Sequence, residues 1–285
     1  MGEGMKHIYL NLKRFDIPAE YGGVNRIADF KNWGAHIVNQ TEDELSRYDP
    51  ETVEFSMFIP EAHILPALGA LRESSPIHIG CQGVYREDVS LGGNFGAFTS
   101  QRTAASMRAA GCSCALIGHC EERRAIAGIL AQAGVEDFSV VNRILNQEVQ
   151  AAAAAGLKVL YCIGEDAGER SRWREVLAEQ IHAGLDRVDR SGVVLAYEPV
   201  WAIGPGKIPP DREQIRCVGD YVKQLTGGMD LVYGGGLKRD NAGMLASIPS
   251  IDGGLIALTR FAGEIGFYPE EYLEIIRLYI GGEPV

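Results

Sequence analysis

The sequence predicts an α/β protein and, within that class, a closed (β/α)8 barrel. Eight short apolar runs of strand length punctuate the 285 residues, each followed by a segment of helical periodicity, and no Pro/Ser-rich linker or composition break divides the chain. An eight-fold alternation also permits an open doubly wound sheet, and crossover handedness does not choose between the two. The closed barrel fits the count better. Barrels of this size form one domain, here residues 1–285, with residues 1–4 as a tag remnant or start extension given no role.

The runs are His7 to Leu12, Val53 to Ile59, Ile77 to Cys81, Cys114 to Ile117, Lys158 to Ile163, Val193 to Tyr197, Leu231 to Tyr233 and Leu255 to Leu258. Unbroken apolar runs of this kind suit parallel strands buried on both faces. Helical periodicity occupies Val24 to Leu45, Ala62 to Leu71, Thr103 to Ala110, Val140 to Ala155, Trp173 to Leu185, Asp211 to Leu225, Asn241 to Ile248 and Pro269 to Tyr279. The longest irregular stretch, Gln82 to Ser100, is rich in glycine and follows the third strand. In a closed barrel the residues just after each strand converge on one face, which makes Asn11, Lys13, His119, Glu198, Gly234 and Gly235 predicted neighbours.

A hydrophobic content of 46% is enough for a full core, and a net charge of -11 opposes a general nucleic-acid or acidic-membrane surface. A small anionic substrate then needs a local positive site. No apolar run reaches bilayer length and the start MGEGMKHIYL lacks the apolar core of a signal peptide, so a cytoplasmic protein is expected. Cys81, Cys112, Cys114, Cys120, Cys162 and Cys217 lack disulfide-module spacing and read as free thiols, with packing favoured over metal for the Cys112, Cys114 and Cys120 group.

The most informative segment is Ala196 to Lys207, AYEPVWAIGPGK, in which an apolar strand runs into a carboxylate, a proline and a Gly-Pro-Gly arm. Glu198 emerges at the carboxyl end of its strand, where α/β enzymes place their chemistry. Pro199 and Gly204 to Gly206 bracket the apolar tip Trp201-Ala202-Ile203 as hinges of a mobile loop. Alone, the segment is equally a strand-end carboxylate bonded to backbone amides.

In combination with Asn-Leu-Lys at 11–13, Gly-Ala-Phe-Thr at 96–99, Ile-Gly-His-Cys-Glu at 117–121, Cys-Ile-Gly-Glu at 162–165 and Tyr-Gly-Gly at 233–235, the segment resembles the triosephosphate isomerase family, in that family's order over almost the whole chain. The resemblance implies a TIM barrel that interconverts dihydroxyacetone phosphate and D-glyceraldehyde 3-phosphate, without cofactor or metal, in glycolysis and gluconeogenesis. It implies Glu198 as base and His119 as the donor polarising the carbonyl, the latter at a strand-to-helix junction that favours a neutral imidazole. Lys13 is implied to oppose the developing oxyanion and the substrate's anionic group, Asn11 to add a donor nearby, and Glu121 to hold Lys13. Without that company, Lys13-Arg14 is a solvated basic pair and Glu121 a first-turn carboxylate. Ile203 and Gly204 are implied in loop closure, with the Gly204 amide on phosphate, Tyr233 as latch and Leu255 as the shield of the base. A homodimer through Gln82 to Ser100 is also implied, with Val84, Tyr85, Phe95 and Phe98 as anchors.

Departures cluster around the anion. The usual Gly-Gly pair after the eighth strand is Ala257-Leu258, the seventh-strand turn reads Gly234-Gly235-Gly236 where a serine is usual, and Cys120 replaces the serine after the histidine. Arg260, two residues beyond the altered pair, is expected either to clamp phosphate or to form a surface salt bridge. Two alternatives follow: isomerisation of another small sugar phosphate such as a tetrulose phosphate, and a non-catalytic barrel that binds an anionic metabolite.

Overall fold

The computed structural model describes residues 4–135, 137, 139–204 and 206–281. Its strands are β1 (Lys6–Asn11), β2 (Val53–Ile59), β3 (Ile77–Cys81), β4 (Cys114–Ile117), β5 (Lys158–Ile163), β6 (Val193–Tyr197), β7 (Leu231–Tyr233) and β8 (Gly253–Ile256). They pair in parallel in chain order, and β8 returns to β1 to close the barrel. The helices between and after them are α1 (Trp33–Leu45), α2 (Ile64–Ala70), α3 (Ala104–Ala110), α4 (Cys120–Gln132), α5 (Ser139–Ala154), α6 (Trp173–Gly184), α7 (Arg212–Thr226), α8 (Ala242–Ala246) and α9 (Pro269–Ile280).

Strand alternation sorts the side chains into two cores. Tyr9, Phe58, Leu116, Leu160, Cys162, Ala196, Val232 and Leu255 fill the barrel interior. Their neighbours in sequence, such as Ile8, Leu10, Met57, Ile117, Tyr161 and Leu195, pack outward with the helices. Each fully buried aliphatic side chain contributes about 1.5–3 kcal/mol of transfer free energy. The rigid cylinder this produces holds the strand ends in register, which is what a multi-strand site requires.

Four expectations need correction. The helix expected from Val24 begins only at Trp33, because the Asn25 amide is spent on the Asp16 and Ala28 carbonyls and so holds the preceding segment in a turn. Helix α4 is absent from the periodicity reading because Cys120 is its one buried residue, leaving no apolar stripe. The first strand lies one residue earlier than its apolar run. The last begins at Gly253, not Leu255. A Cβ at Gly253 would lie 1.8 Å from the His7 carbonyl oxygen, so only glycine permits β8 to seal against β1. Ala257 and Leu258 therefore lie beyond the strand, in the connection to α9.

Candidate active site

The carboxyl ends of β1, β4 and β6 bring Asn11, Lys13, His119 and Glu198 together, as the barrel reading expects. Glu198 is 1% exposed. Its Oε2 accepts the Cys120 amide at 2.8 Å, while its Oε1 lies 3.1 Å from His119 Nε2 without the alignment of a hydrogen bond and has no other partner. The carboxylate is thus held by a hydrogen bond at one oxygen, while the other is buried without one.

His119 is the N-cap of α4, and its Nδ1 accepts the Glu121 amide at 3.2 Å. A ring nitrogen that accepts an amide proton carries none of its own, which leaves the ring proton on Nε2, the atom facing Glu198. The helix start therefore sets both the position and the tautomer of the imidazole. Cys120, whose amide holds Glu198, keeps its thiol proton: burial, then the Glu198 charge, push it up to about 12. The ligating atoms of His119, Cys120 and Glu198 lie within 4.8 Å of one another, a metal-compatible spacing. Two of these groups already serve the chain, His119 Nδ1 accepting the Glu121 amide and Glu198 Oε2 the Cys120 amide.

Lys13 has φ of 40°, a left-handed conformation uncommon for a side-chain-bearing residue. Asn11 Oδ1 accepts its amide at 3.0 Å, and Gln82 Nε2 donates to its carbonyl at 3.0 Å. Lys13 Nζ bonds to Glu121 Oε1 at 2.8 Å. Burial raises the Glu121 pKa, but the Lys13 bond and charge outweigh it and hold the carboxyl below its ordinary value. Gln82, at the end of β3, also donates to Asn11 and to the Phe58 carbonyl, and sequence reasoning missed it. The only signal was an amide residue directly after a predicted strand.

The loop after Glu198 forms a single turn, Val200–Ala202. Trp201 Nε1 donates to Glu165 Oε1 at 2.7 Å, and Arg170 stacks on the indole at 3.7 Å. Glu165, also a hydrogen-bond acceptor for Tyr197, is buried, and burial raises its pKa despite those bonds. It too went unassigned in sequence, although it ends the Cys-Ile-Gly-Glu motif. Ile203 is half-buried and Gly204 exposed. The Tyr233 hydroxyl has no hydrogen-bond partner among the described residues and abuts Gly235, while Leu255 packs in the barrel interior beside Ala196 and Val232.

Gly235, Gly236, Ala257 and Leu258 are half-buried at the ends of β7 and β8. Arg260 is placed otherwise than a phosphate clamp requires. Its Nε donates to Glu271 at 2.8 Å, a second nitrogen lies 2.6 Å from the same carboxylate, and the guanidinium stacks on Tyr268 at 3.7 Å. The connection after β8 forms a small turn with Arg260 bridged to Gly266, which brings the guanidinium to the start of α9. Of the loop anchors, Val84 is buried in the chain's own core and Tyr85 packs on Phe98, whereas Phe95 is exposed. Val84 is thus unavailable to a partner.

A poised carboxylate, a ring N–H and a tethered ammonium at one barrel mouth define an intramolecular oxidoreductase of the aldose–ketose isomerase class. A family model for triosephosphate isomerase matches residues 28–277. Triosephosphate isomerase of Prosthecochloris aestuarii is 33% identical over 234 residues, covering 76% of this chain and 83% of the relative. That of Lactobacillus delbrueckii subsp. bulgaricus is 31% identical over 255 residues, covering 84% and 89%. The crystal structure of triosephosphate isomerase from Bartonella henselae superposes with a TM-score of 0.70 at 23% identity, over 96% of this chain and 99% of that one, which speaks for the fold. The chain belongs to the triosephosphate isomerase family.

Proposed function

We propose that the chain interconverts dihydroxyacetone phosphate and D-glyceraldehyde 3-phosphate through an enediolate. The observation that carries this reading is the buried Glu198 Oε1, free of a hydrogen bond and 3.1 Å from His119 Nε2. Glu198 takes a proton from the carbon beside the carbonyl and returns it to the neighbouring carbon. His119 donates its Nε2 proton to the substrate oxygens in turn. A carboxylate base facing a neutral imidazole is the established pattern for triosephosphate isomerases. Lys13, tethered by Glu121, opposes the negative charge that builds on the enediolate, and the Asn11 amide adds a donor. One carbon is oxidised as its neighbour is reduced, so no external oxidant enters the balance.

In the same proposal Ile203 and Gly204 close over the substrate, Tyr233 latches the closed loop and Leu255 keeps water from the base. The Gly204, Gly235 and Gly236 amides approach the phosphate, flanked by Ala257 and Leu258. The family match does not favour a tetrulose phosphate isomerase or an idle binding barrel. The chain acts as one barrel domain and as a homodimer through Gln82 to Ser100, whose tip exposes Val89 (42%), Leu91 (106%) and Phe95 (88%). Free cysteines suit a reducing cytoplasm, and no helix among the described residues is long and apolar enough to cross a membrane.

A coupled assay in deuterated water tests the chemistry. Turnover of glyceraldehyde 3-phosphate is expected, with solvent deuterium entering carbon, and Glu198→Gln is expected to lower kcat by about 100- to 10,000-fold. Wild-type turnover no faster than that of Glu198→Gln would overturn the assignment.

A further inference from the structure

The altered anion cradle leaves a question of charge. On the triose phosphate reading, Ala257 and Leu258 put side chains where the approach of a phosphate to bare backbone favours glycine, and the Arg260 guanidinium is paired with Glu271. The opposite side of the cradle, after β7, is built differently. Gly236 has φ of 97°, and a Cβ there would lie 3.2 Å from Lys238 Cε. A side chain at 236 would be strained by its backbone and crowded by the lysine. The absence of a side chain at 236 and the path of Lys238 are thus one arrangement: the lysine stem folds back over the glycine turn.

Lys238 is also held and charged in a manner that suits a ligand. Asn241 Oδ1 accepts the Lys238 amide at 2.8 Å while Asn241 Nδ2 donates to the Gly236 carbonyl at 2.9 Å, so one side chain clamps both ends of the turn. The ammonium rests 4.3 Å from the centre of the Phe261 ring, contributed by the turn that follows β8. Its cationic neighbours are neutralised, Arg239 by Glu274 and Arg260 by Glu271. Lys238 Nζ meets no carboxylate among the described residues. The Lys238 ammonium is thus an uncompensated cation packed on an aromatic face next to the Gly236 turn.

We propose that Lys238 supplies a positive charge that holds the substrate phosphate, in place of the glycines missing at Ala257-Leu258 and of Arg260. The proposal rests on the triose phosphate reading and names the residue that recognises the phosphoryl end. Phe261 partly desolvates the ammonium, and the phosphate dianion takes the place of water on its open side.

The test compares Lys238→Met, Lys238→Arg and Arg260→Met with wild type. The readouts are the ratio of kcat/KM for glyceraldehyde 3-phosphate to that for glyceraldehyde, and inorganic phosphate binding by calorimetry. In Lys238→Met both the ratio and the phosphate affinity are expected to fall about 10- to 100-fold, the loss of one charge-assisted contact. Lys238→Arg is expected to recover most of both, and Arg260→Met to lose less than threefold. The proposal is overturned if Lys238→Met stays within twofold of wild type on both measures, or if the loss appears in Arg260→Met instead. A wild-type protein without triose phosphate turnover would defeat the proposed activity, and the phosphate titrations alone would then decide the role of Lys238.

Discussion

The side chain of Asn11 fixes the backbone of Lys13. Its Oδ1 accepts the Lys13 amide at 3.0 Å and stabilises a φ of 40° that a lysine seldom adopts. Gln82 locks the arrangement by binding both the Asn11 side chain and the Lys13 carbonyl. The direction in which the ammonium leaves the first strand is therefore set by two amides, neither of them charged.

Gln82→Ala is accordingly expected to lower kcat/KM for triose phosphates by about 10- to 100-fold, the usual effect of loosening a buried hydrogen-bonded positioner. Because Gln82 acts through Lys13, Gln82→Glu should recover little: its carboxylate cannot donate to the Lys13 carbonyl. Steady-state kinetics of the two variants, with unchanged circular dichroism as a control on folding, decide the matter.

At the opposite end of the barrel, His7 sits between Glu54 at 2.8 Å and Asp230 at 3.1 Å. Burial alone would lower its pKa, but the bonds to Asp230 and Glu54 outweigh it and raise the imidazole from 6.5 to about 9. A raised folded-state pKa contributes stability that is complete below pH 6.5 and is lost as pH rises through 9. Thermal unfolding should therefore show a loss on the order of 2 kcal/mol across that window. In His7→Gln this alkaline arm should be flat; an unaltered arm would show that other groups titrate there.

Trp201 ties the loop after Glu198 to the barrel through Glu165. Trp201→Phe removes that hydrogen bond and leaves a buried carboxyl with the Tyr197 hydroxyl alone among these two donors. We expect kcat and KM to change together by about three- to tenfold, as for a loop whose resting position has shifted. A change confined to kcat would place Trp201 in the chemical step instead.

The exposed tip of the Gln82 to Ser100 loop carries the dimer proposal. Leu91→Glu combined with Phe95→Glu places two charges on its most exposed apolar positions. Sedimentation at micromolar concentration is expected to show a dimer for wild type and a monomer for the double variant. A monomeric wild type would refute the interface.

Six of the strands were legible to the residue because buried parallel strands are short, unbroken apolar runs, and Val53–Ile59 and Lys158–Ile163 are typical. The eighth slipped because its first residues are glycines, chosen for backbone approach and silent in hydrophobicity. Helix α4 escaped the periodicity for the opposite reason: it is largely exposed, and only its start was legible, at the strand-to-helix junction of His119 and the first-turn Glu121. Glu198 and His119 could be named because strand ends and motif order locate them. Gln82 and Glu165 could not, since each matters through partners at Lys13 and Trp201, far away in sequence. Arg260 shows the limit from the other side, its charge being read correctly and its partner, Glu271, being eleven residues downstream.

The seam between β1 and β8 has a consequence for biosynthesis. The pocket draws Asn11 and Lys13 from the first strand, and that strand gains its second neighbour only when Gly253–Ile256 docks beside His7 to Leu10. A ribosome must therefore release the chain through Ile256 before the cylinder can shut, and shorter nascent fragments lack the closed barrel that frames the pocket. The frame of the pocket is thus complete only once β8 has emerged and docked.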